Sequence, residues 1–274
     1  MIFEQIDLYS YFNLPKQDGH KGILSVYALE QNAEIGLSRK RSAILIMPGG
    51  GYAVVSPRTR TAVAMAYAKH GLCAFVLEYT VAPATFPTQL REAAMAMIFI
   101  RENAKKYAID IDTVAAIGFS AGGHLCGCLG TMFNAPEVTD LPNAEFIRPT
   151  AIILSYPVTV STKNKTHQDS FDNLTAKDEK LTDRLSLDKC VTKLSSPAFI
   201  WHTVTDELVP VYGSIALAQK YEEQGVPFEL HLFSNGPHGL GLATKEFTQI
   251  NNEVCIWHEM TIAWLKKPGF LIYS

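Results

Sequence analysis

Short, nearly unbroken apolar runs recur along the chain, each closed by glycine, proline or polar residues. Ile23 to Leu29, Ala43 to Met47, Leu72 to Leu77, Val114 to Ile117, Ala151 to Ser155, Ala198 to His202 and Pro227 to Phe233 all fit strands buried on both faces, which need no polar alternation. Between them the period changes to that of helices. Residues 58 to 70 place Ala62, Val63, Ala66 and Tyr67 on one face and stop at His70-Gly71. A longer helix is predicted from about Pro87 to Tyr107, with Leu90, Ala94, Met97 and Ile98 at helical spacing. Further helices follow Ser120, run from Val211 to Gln224 ahead of Gly225, and span about Thr248 to Leu265. Strands alternating with helices predict an α/β fold with a mostly parallel central sheet and helices on both faces.

Three segments break the rhythm. Ser38 to Arg41 reads as a solvated basic loop, and Asn134 to Pro149 as a proline-rich one. Residues 158 to 190 are polar, with a helix near Asp178 to Leu187. This small polar insertion is expected over the carboxyl ends of the strands, where ligands bind in open α/β sheets, as a lid, a substrate wall or plain surface. No repeat or linker divides the chain, so residues 1–274 are expected to form a single domain.

Composition adds limits. Of 274 residues, 47% are hydrophobic and 19% charged, with a net charge of −3, which offers no basic field for nucleic acid or anionic lipid. The longest apolar run, Ala93 to Ile100, stops at Arg101, far short of the roughly 20 residues of a membrane span. Glu4 and Asp7 stand where a signal peptide would be basic, so a cytoplasmic location is expected. Cys73, Cys126, Cys128, Cys190 and Cys255 lack the paired spacing of a zinc site and read as free, mostly buried thiols.

The candidate chemistry begins at Gly118-Phe119-Ser120-Ala121-Gly122, a G-x-S-x-G string between a predicted strand and a predicted helix. That context is the nucleophile elbow of an α/β-hydrolase fold, in which a tight turn holds a serine hydroxyl above a helix N-terminus. Serine needs a base, and the base needs a group to hold its tautomer. In this fold the order is serine, acid, histidine, each on a loop after a strand, and Ser120, Asp206 and His238 fit it. Glu207 is the rival acid. His124, His202 and His231 read as structural, and His167, in the insertion, as a substrate contact or surface residue. Three consecutive glycines after a core strand suggest an oxyanion hole, with N–H groups from Gly50 or Gly51 and from Ala121.

With these residues in place the chain resembles the α/β-hydrolase esterases, and among them the small intracellular acetylesterases of the acetylxylan esterase-like group. The resemblance rests on MPGGGYAVVSPR, FVLEYTVAP, IRENAKKYAID, IGFSAGGHL, SYPV, HQDSFDNL, IWHTVTDELVPV and GVPFELHLFSNGPHGL, in that order. Two positions depart from the family pattern. Pro48 stands where many relatives carry histidine before the glycines, and Thr59 replaces the acid that usually follows Arg58. The resemblance implies a serine esterase removing short acyl groups, acetyl foremost, from small alcohols such as acylated sugars, through an acyl-Ser120 intermediate and without metal or organic cofactor. Tyr52, Arg58 and His167 are the implied substrate contacts. An amide-cleaving hydrolase, such as a small peptidase or arylformamidase, and a non-catalytic binding protein remain open. A glycosidase lacks a visible carboxylate pair. Whether the chain forms a homo-oligomer is also open.

Overall fold

The parallel half of the sheet forms because its strands can be covered on both sides. A computed structural model describes residues 1–30, 34, 40–245 and 251–267. In chain order the strands are β1 (Ile2–Asp7), β2 (Ile23–Ala28), β3 (Arg41–Met47), β4 (Cys73–Glu78), β5 (Ile109–Phe119), β6 (Ile152–Ser155), β7 (Ala198–Thr203) and β8 (Phe228–Phe233). The helices are α1 (Leu8–Tyr11), α2 (Thr61–Lys69), α3 (Thr88–Glu102), α4 (Ala104–Tyr107), α5 (Ala121–Thr131), α6 (Gln168–Thr175), α7 (Glu179–Arg184), α8 (Leu187–Cys190), α9 (Tyr212–Gln224) and α10 (Trp257–Leu265). The eight strands lie in the order β1-β2-β4-β3-β5-β6-β7-β8. The pairs β1/β2 and β2/β4 are antiparallel, and every pair from β4/β3 to β7/β8 is parallel.

The period of two along β3 explains its uninterrupted apolar run. Ala43, Leu45 and Met47 join a core layer with Leu90 and Ala94 of α3, Leu125 of α5 and Leu217 of α9. Ile44 and Ile46 join the opposite layer with Val63 and Tyr67 of α2 and Ile262 and Leu265 of α10. The predicted α/β architecture, with helices on both faces of a mostly parallel sheet, is therefore the one observed. All five cysteines are free thiols, three of them buried. Among the described residues no helix is long and apolar enough to cross a membrane.

Several elements differ from the sequence reading. β1 extends the sheet beside β2, although its alternation of half-exposed residues gave no buried run. The long helix is broken at Asn103, whose side chain donates to Phe99 O at 2.9 Å and competes with the backbone ladder. The insertion holds three helices where one was predicted: α6 was missed because its apolar stripe is only Phe171 and Leu174. The last helix starts at Trp257, because the Asn251 side chain accepts from Glu253 N–H and Val254 N–H and sets a turn there. Arg41 belongs to β3, while Ser38, Arg39 and the predicted helical positions 248–250 lie outside the described residues.

The junction of β5 and α5 leaves no room for side chains at its glycines. A Cβ at Gly122 would sit 2.2 Å from Met47 O and 2.3 Å from Pro48 O, both backbone atoms of the neighbouring strand end. Gly122→Ala is therefore expected to destabilise the fold by about 3 kcal/mol, the upper range for overpacking. Guanidinium unfolding checks this, and a midpoint equal to wild type would refute the steric argument.

Candidate active site

β3, β5, β7 and β8 all end at the same edge of the sheet, and the candidate residues sit on the loops just beyond. Ser120 follows β5 at φ 55°, ψ −120°, a backbone strain held by flanking bonds. Its N–H donates to Ser155 O at 3.0 Å, and its carbonyl accepts from Val158 N–H and His124 N–H, both at 3.1 Å. The turn thus aims the hydroxyl away from the sheet, at His238. The loops after β7 and β8 are tied together by Thr203 Oγ1, which donates to Gly236 O (2.8 Å), and by Thr205 Oγ1, which accepts from Gly236 N–H (2.9 Å).

These ties bring three side chains into a line. His238 Nε2 lies 2.8 Å from Ser120 Oγ, and His238 Nδ1 lies 2.7 Å from Asp206 Oδ2. The carboxylate requires Nδ1 to carry the proton, leaving Nε2 as the acceptor for the serine hydroxyl. Asp206 is 7% exposed, and its Oδ1 accepts from Leu208 N–H (3.0 Å) and Val209 N–H (2.9 Å). Glu207, the rival acid, points into solvent.

His202 does more than fill the core. Its Nε2 faces both Asp206 Oδ2 (3.2 Å) and Val209 O (3.0 Å), two acceptors, so it carries a proton and donates. Burial opposes the charge on Asp206, but hydrogen bonds from His202 and His238 outweigh it and hold the carboxyl below its ordinary range. Spacing gave no sign of this contact, since it depends on the loop after β7 folding back over its own strand.

The glycine loop after β3 closes the other side. Its turn is built into the backbone: Gly50 has φ 131°, and a Cβ there would meet Val54 O at 2.0 Å. Gly49 N–H is directed to Thr59 Oγ1 at 3.4 Å, so the residue that departs from the family pattern supports the loop. Tyr79 donates to Pro48 O at 2.7 Å. Among the described residues no hydrogen bond engages the N–H of Gly50, Gly51 or Ala121, which leaves three donors beside Ser120.

Tyr52, expected at the substrate, is instead 1% exposed and lies behind the loop. Its hydroxyl is 2.9 Å from His124 Nδ1, while His124 Nε2 donates to Leu185 O at 2.8 Å. The carbonyl fixes the tautomer, so Tyr52 donates. His124 thereby ties the glycine loop to the insertion, a supporting role in keeping with its structural reading. Tyr52 is bulky enough to be drawn into the core, which a reading by loop position misses.

A cavity of about 420 Å³ opens over Ser120 and His238. Gly50 and Gly51 form its floor, and His167, Asp169 and Asn173 at the start and inner side of α6 form one wall. Asn173 donates to Gly51 O at 2.9 Å, so that wall is joined to the glycine loop. Arg58 lies at the mouth and donates to Gly239 O at 3.1 Å. Val54 and Leu208, 59% and 52% exposed, give the rim an apolar side. Asp169 and Asn173, four apart on α6, were missed because α6 itself was.

A family model described as BD-FAE matches residues 34–221 of the chain. The chain belongs to the BD-FAE family. Relatives of this BD-FAE member include endo-1,4-beta-xylanase B of Butyrivibrio fibrisolvens, 39% identical over 220 residues, which are 76% of this chain and 34% of that protein. It is 30% identical over 224 residues to acetylxylan esterase of Xylanibacter ruminicola, covering 78% of this chain and 45% of the relative. The chain thus spans less than half the length of either. Its structure matches the acetyl ester-xyloside bifunctional hydrolase of Caldicellulosiruptor lactoaceticus with a TM-score of 0.86 and 33% identity, covering 98% of this chain and 97% of that one. The BD-FAE member has the α/β-hydrolase fold and resembles acetylxylan esterases, as the sequence blocks implied.

Acid is expected to weaken this fold in two windows. Burial pushes His124 down to about 4, so between about pH 6.5 and 4 the unfolded chain takes up a proton that the folded one refuses, and stability falls. The stabilisation from the depressed Asp206 carboxyl is complete above about pH 4 and is lost as pH falls toward its folded value. Guanidinium midpoints should therefore decline from about pH 6.5 downward, with Asp206→Asn flattening the part below about pH 4. A profile flat down to about pH 4 would contradict the buried neutral histidine.

Proposed function

We propose that this chain is a serine esterase that hydrolyses short-chain acyl esters, acetyl foremost, of small carbohydrate alcohols such as xylo-oligosaccharides. The observation that carries the proposal is the line Ser120–His238–Asp206, at 2.8 and 2.7 Å, opening into the cavity beside free backbone donors. Residues 1–274 act as one domain in this reading.

In the first half-reaction Ser120 Oγ attacks the ester carbonyl while His238 Nε2 takes its proton. Asp206 holds Nδ1–H and stabilises the imidazolium. The negative charge that develops on the carbonyl oxygen is met by Ala121 N–H and by Gly50 or Gly51 N–H. Collapse breaks the bond to the alcohol, which leaves with the proton from His238. Water then attacks the acyl-Ser120 ester, giving its proton to His238, and Ser120 regains that proton as the acid departs. Every step uses groups of the chain, substrate and water.

The pocket supports the substrate class. A volume of about 420 Å³ shared between acyl group and alcohol favours a short chain. The polar wall of His167, Asp169 and Asn173, with Arg58 at the mouth, suits hydroxyl-bearing alcohols. The names of the relatives, an acetylxylan esterase and an acetyl ester-xyloside hydrolase, point the same way.

The test compares kcat/KM for 4-nitrophenyl acetate, butyrate and octanoate, 4-nitroacetanilide and acetylated xylo-oligosaccharides. Acetate should lead, with octanoate lower by about a hundredfold or more, measurable release of acetate from the oligosaccharides, and little anilide cleavage. A preference for the anilide would shift the reading to an amide hydrolase. Absence of turnover on every ester would leave a binding protein.

A further inference from the structure

Among the described residues, one group of three metal-ligating side chains converges where α2 ends and α10 begins. The ligand atoms of His70, His258 and Glu259 all lie within 4.8 Å of one another. His70 Nε2 is 3.3 Å from Glu259 Oε1, and His258 Nδ1 is 3.9 Å from the same oxygen. The two imidazole rings are 5.4 Å apart, centroid to centroid. None of the three lines the cavity over Ser120.

We propose that His70, His258 and Glu259 form a binding site for one zinc ion that ties α10 to α2. Donor atoms about 2.0–2.2 Å from a tetrahedral zinc lie about 3.4 Å from each other. The separations found here need only small side-chain rotations to reach that spacing. Two imidazoles and one carboxylate are a zinc-type set, softer than the all-oxygen shells of calcium and magnesium, and water completes the fourth position.

The surroundings fit a metal better than they fit the bare protein. His258 is 8% exposed, and His70 Nε2 makes no hydrogen bond beyond its 3.3 Å contact with Glu259 Oε1. A buried ring nitrogen without a hydrogen bond destabilises a fold, and coordination at His70 Nε2 removes that cost. The Tyr67 ring packs edge-on against His258 at 4.7 Å and holds its orientation.

A zinc ion here acts on stability and takes no part in the reaction at Ser120. Trp257, beside His258, donates through Nε1 to Gly241 O at 2.9 Å, three residues past His238. Securing α10 therefore steadies the segment that follows the catalytic histidine. The rival interpretation is a plain ion pair between His70 and Glu259, in which Glu259 is 62% exposed; such a pair contributes little and has no affinity for metal.

The test uses the full chain freed of metal by chelator, titrated with zinc chloride by calorimetry and followed by thermal unfolding. One zinc should bind per chain and raise Tm by about 5 °C at roughly 100-fold excess over Kd. His70→Asn and Glu259→Gln, at positions open enough to tolerate change, should weaken zinc binding at least about tenfold. Their metal-free ester turnover should match wild type. Cobalt in place of zinc should show the strong visible bands of a tetrahedral site, lost in His70→Asn. Absence of zinc binding, or binding equally tight in both variants, would overturn the proposal and leave the ion pair.

Discussion

Replacing Ser120 by Ala is expected to lower kcat for 4-nitrophenyl acetate by about a millionfold, the loss typical when a triad serine is removed. The magnitude follows from the proposed route, in which both half-reactions pass through Ser120 Oγ. Among the described residues the hydroxyl's one side-chain hydrogen bond is with His238 Nε2 at 2.8 Å, while the turn itself is held by Ser120 N–H and C=O. Alanine keeps those backbone bonds, and at φ 55° it is no better or worse suited than serine. The unfolding midpoint should therefore stay close to wild type, within about 1 kcal/mol. Steady-state hydrolysis and guanidinium unfolding on the same preparation decide it: near-wild-type turnover by a folded variant would remove Ser120 from the chemistry.

Asp206→Asn should cost about ten thousandfold in kcat, because it acts on the histidine tautomer. Asp206 Oδ2 accepts from both His238 Nδ1 (2.7 Å) and His202 Nε2 (3.2 Å), a position that only an acceptor fills. An asparagine that keeps Oδ1 on Leu208 N–H and Val209 N–H must present its amide NH2 there. His238 then turns to the tautomer protonated on Nε2, which cannot take the serine proton. His202, still donating to Val209 O, is left facing a second donor, and that buried mismatch should lower stability by about 1–3 kcal/mol. Glu207→Gln, at an exposed site, serves as the control and should change neither quantity. An Asp206→Asn enzyme with more than a tenth of wild-type kcat would show that the acid lies elsewhere.

The parts of the fold legible in the sequence are those where burial is symmetrical. β3, β5 and β7 sit inside the sheet with both faces covered, so their apolar runs carry their own signal. β1, at the sheet edge with half-exposed residues, carries almost none. The same contrast divides the helices: α9 is announced by its length and by Gly225, while α6, polar outside Phe171 and Leu174, looks like loop.

Around the pocket, legibility follows covalent rather than spatial neighbourhood. Residues on loops directly after strands are readable, because the topology sends every parallel strand end to one edge of the sheet. Asp169 and Asn173 reach the cavity through a helix the pattern hides, and Leu208 through the turn that Asp206 pins. Tyr52 shows the reverse error: its place beside the glycines suggests substrate contact, but a large ring with a histidine partner underneath is drawn inward. Contacts made by folding back, such as His202 on Asp206, have no spacing rule to reveal them.

In the proposed mechanism Ser120 is a nucleophile activated by His238. Treating the chain with a fluorophosphonate and analysing it by intact mass and peptide mapping tests that claim most directly. A single adduct on Ser120, formed rapidly by wild type and absent from Ser120→Ala, is the predicted result. No adduct, or an adduct on another residue at the same rate in both proteins, would contradict it.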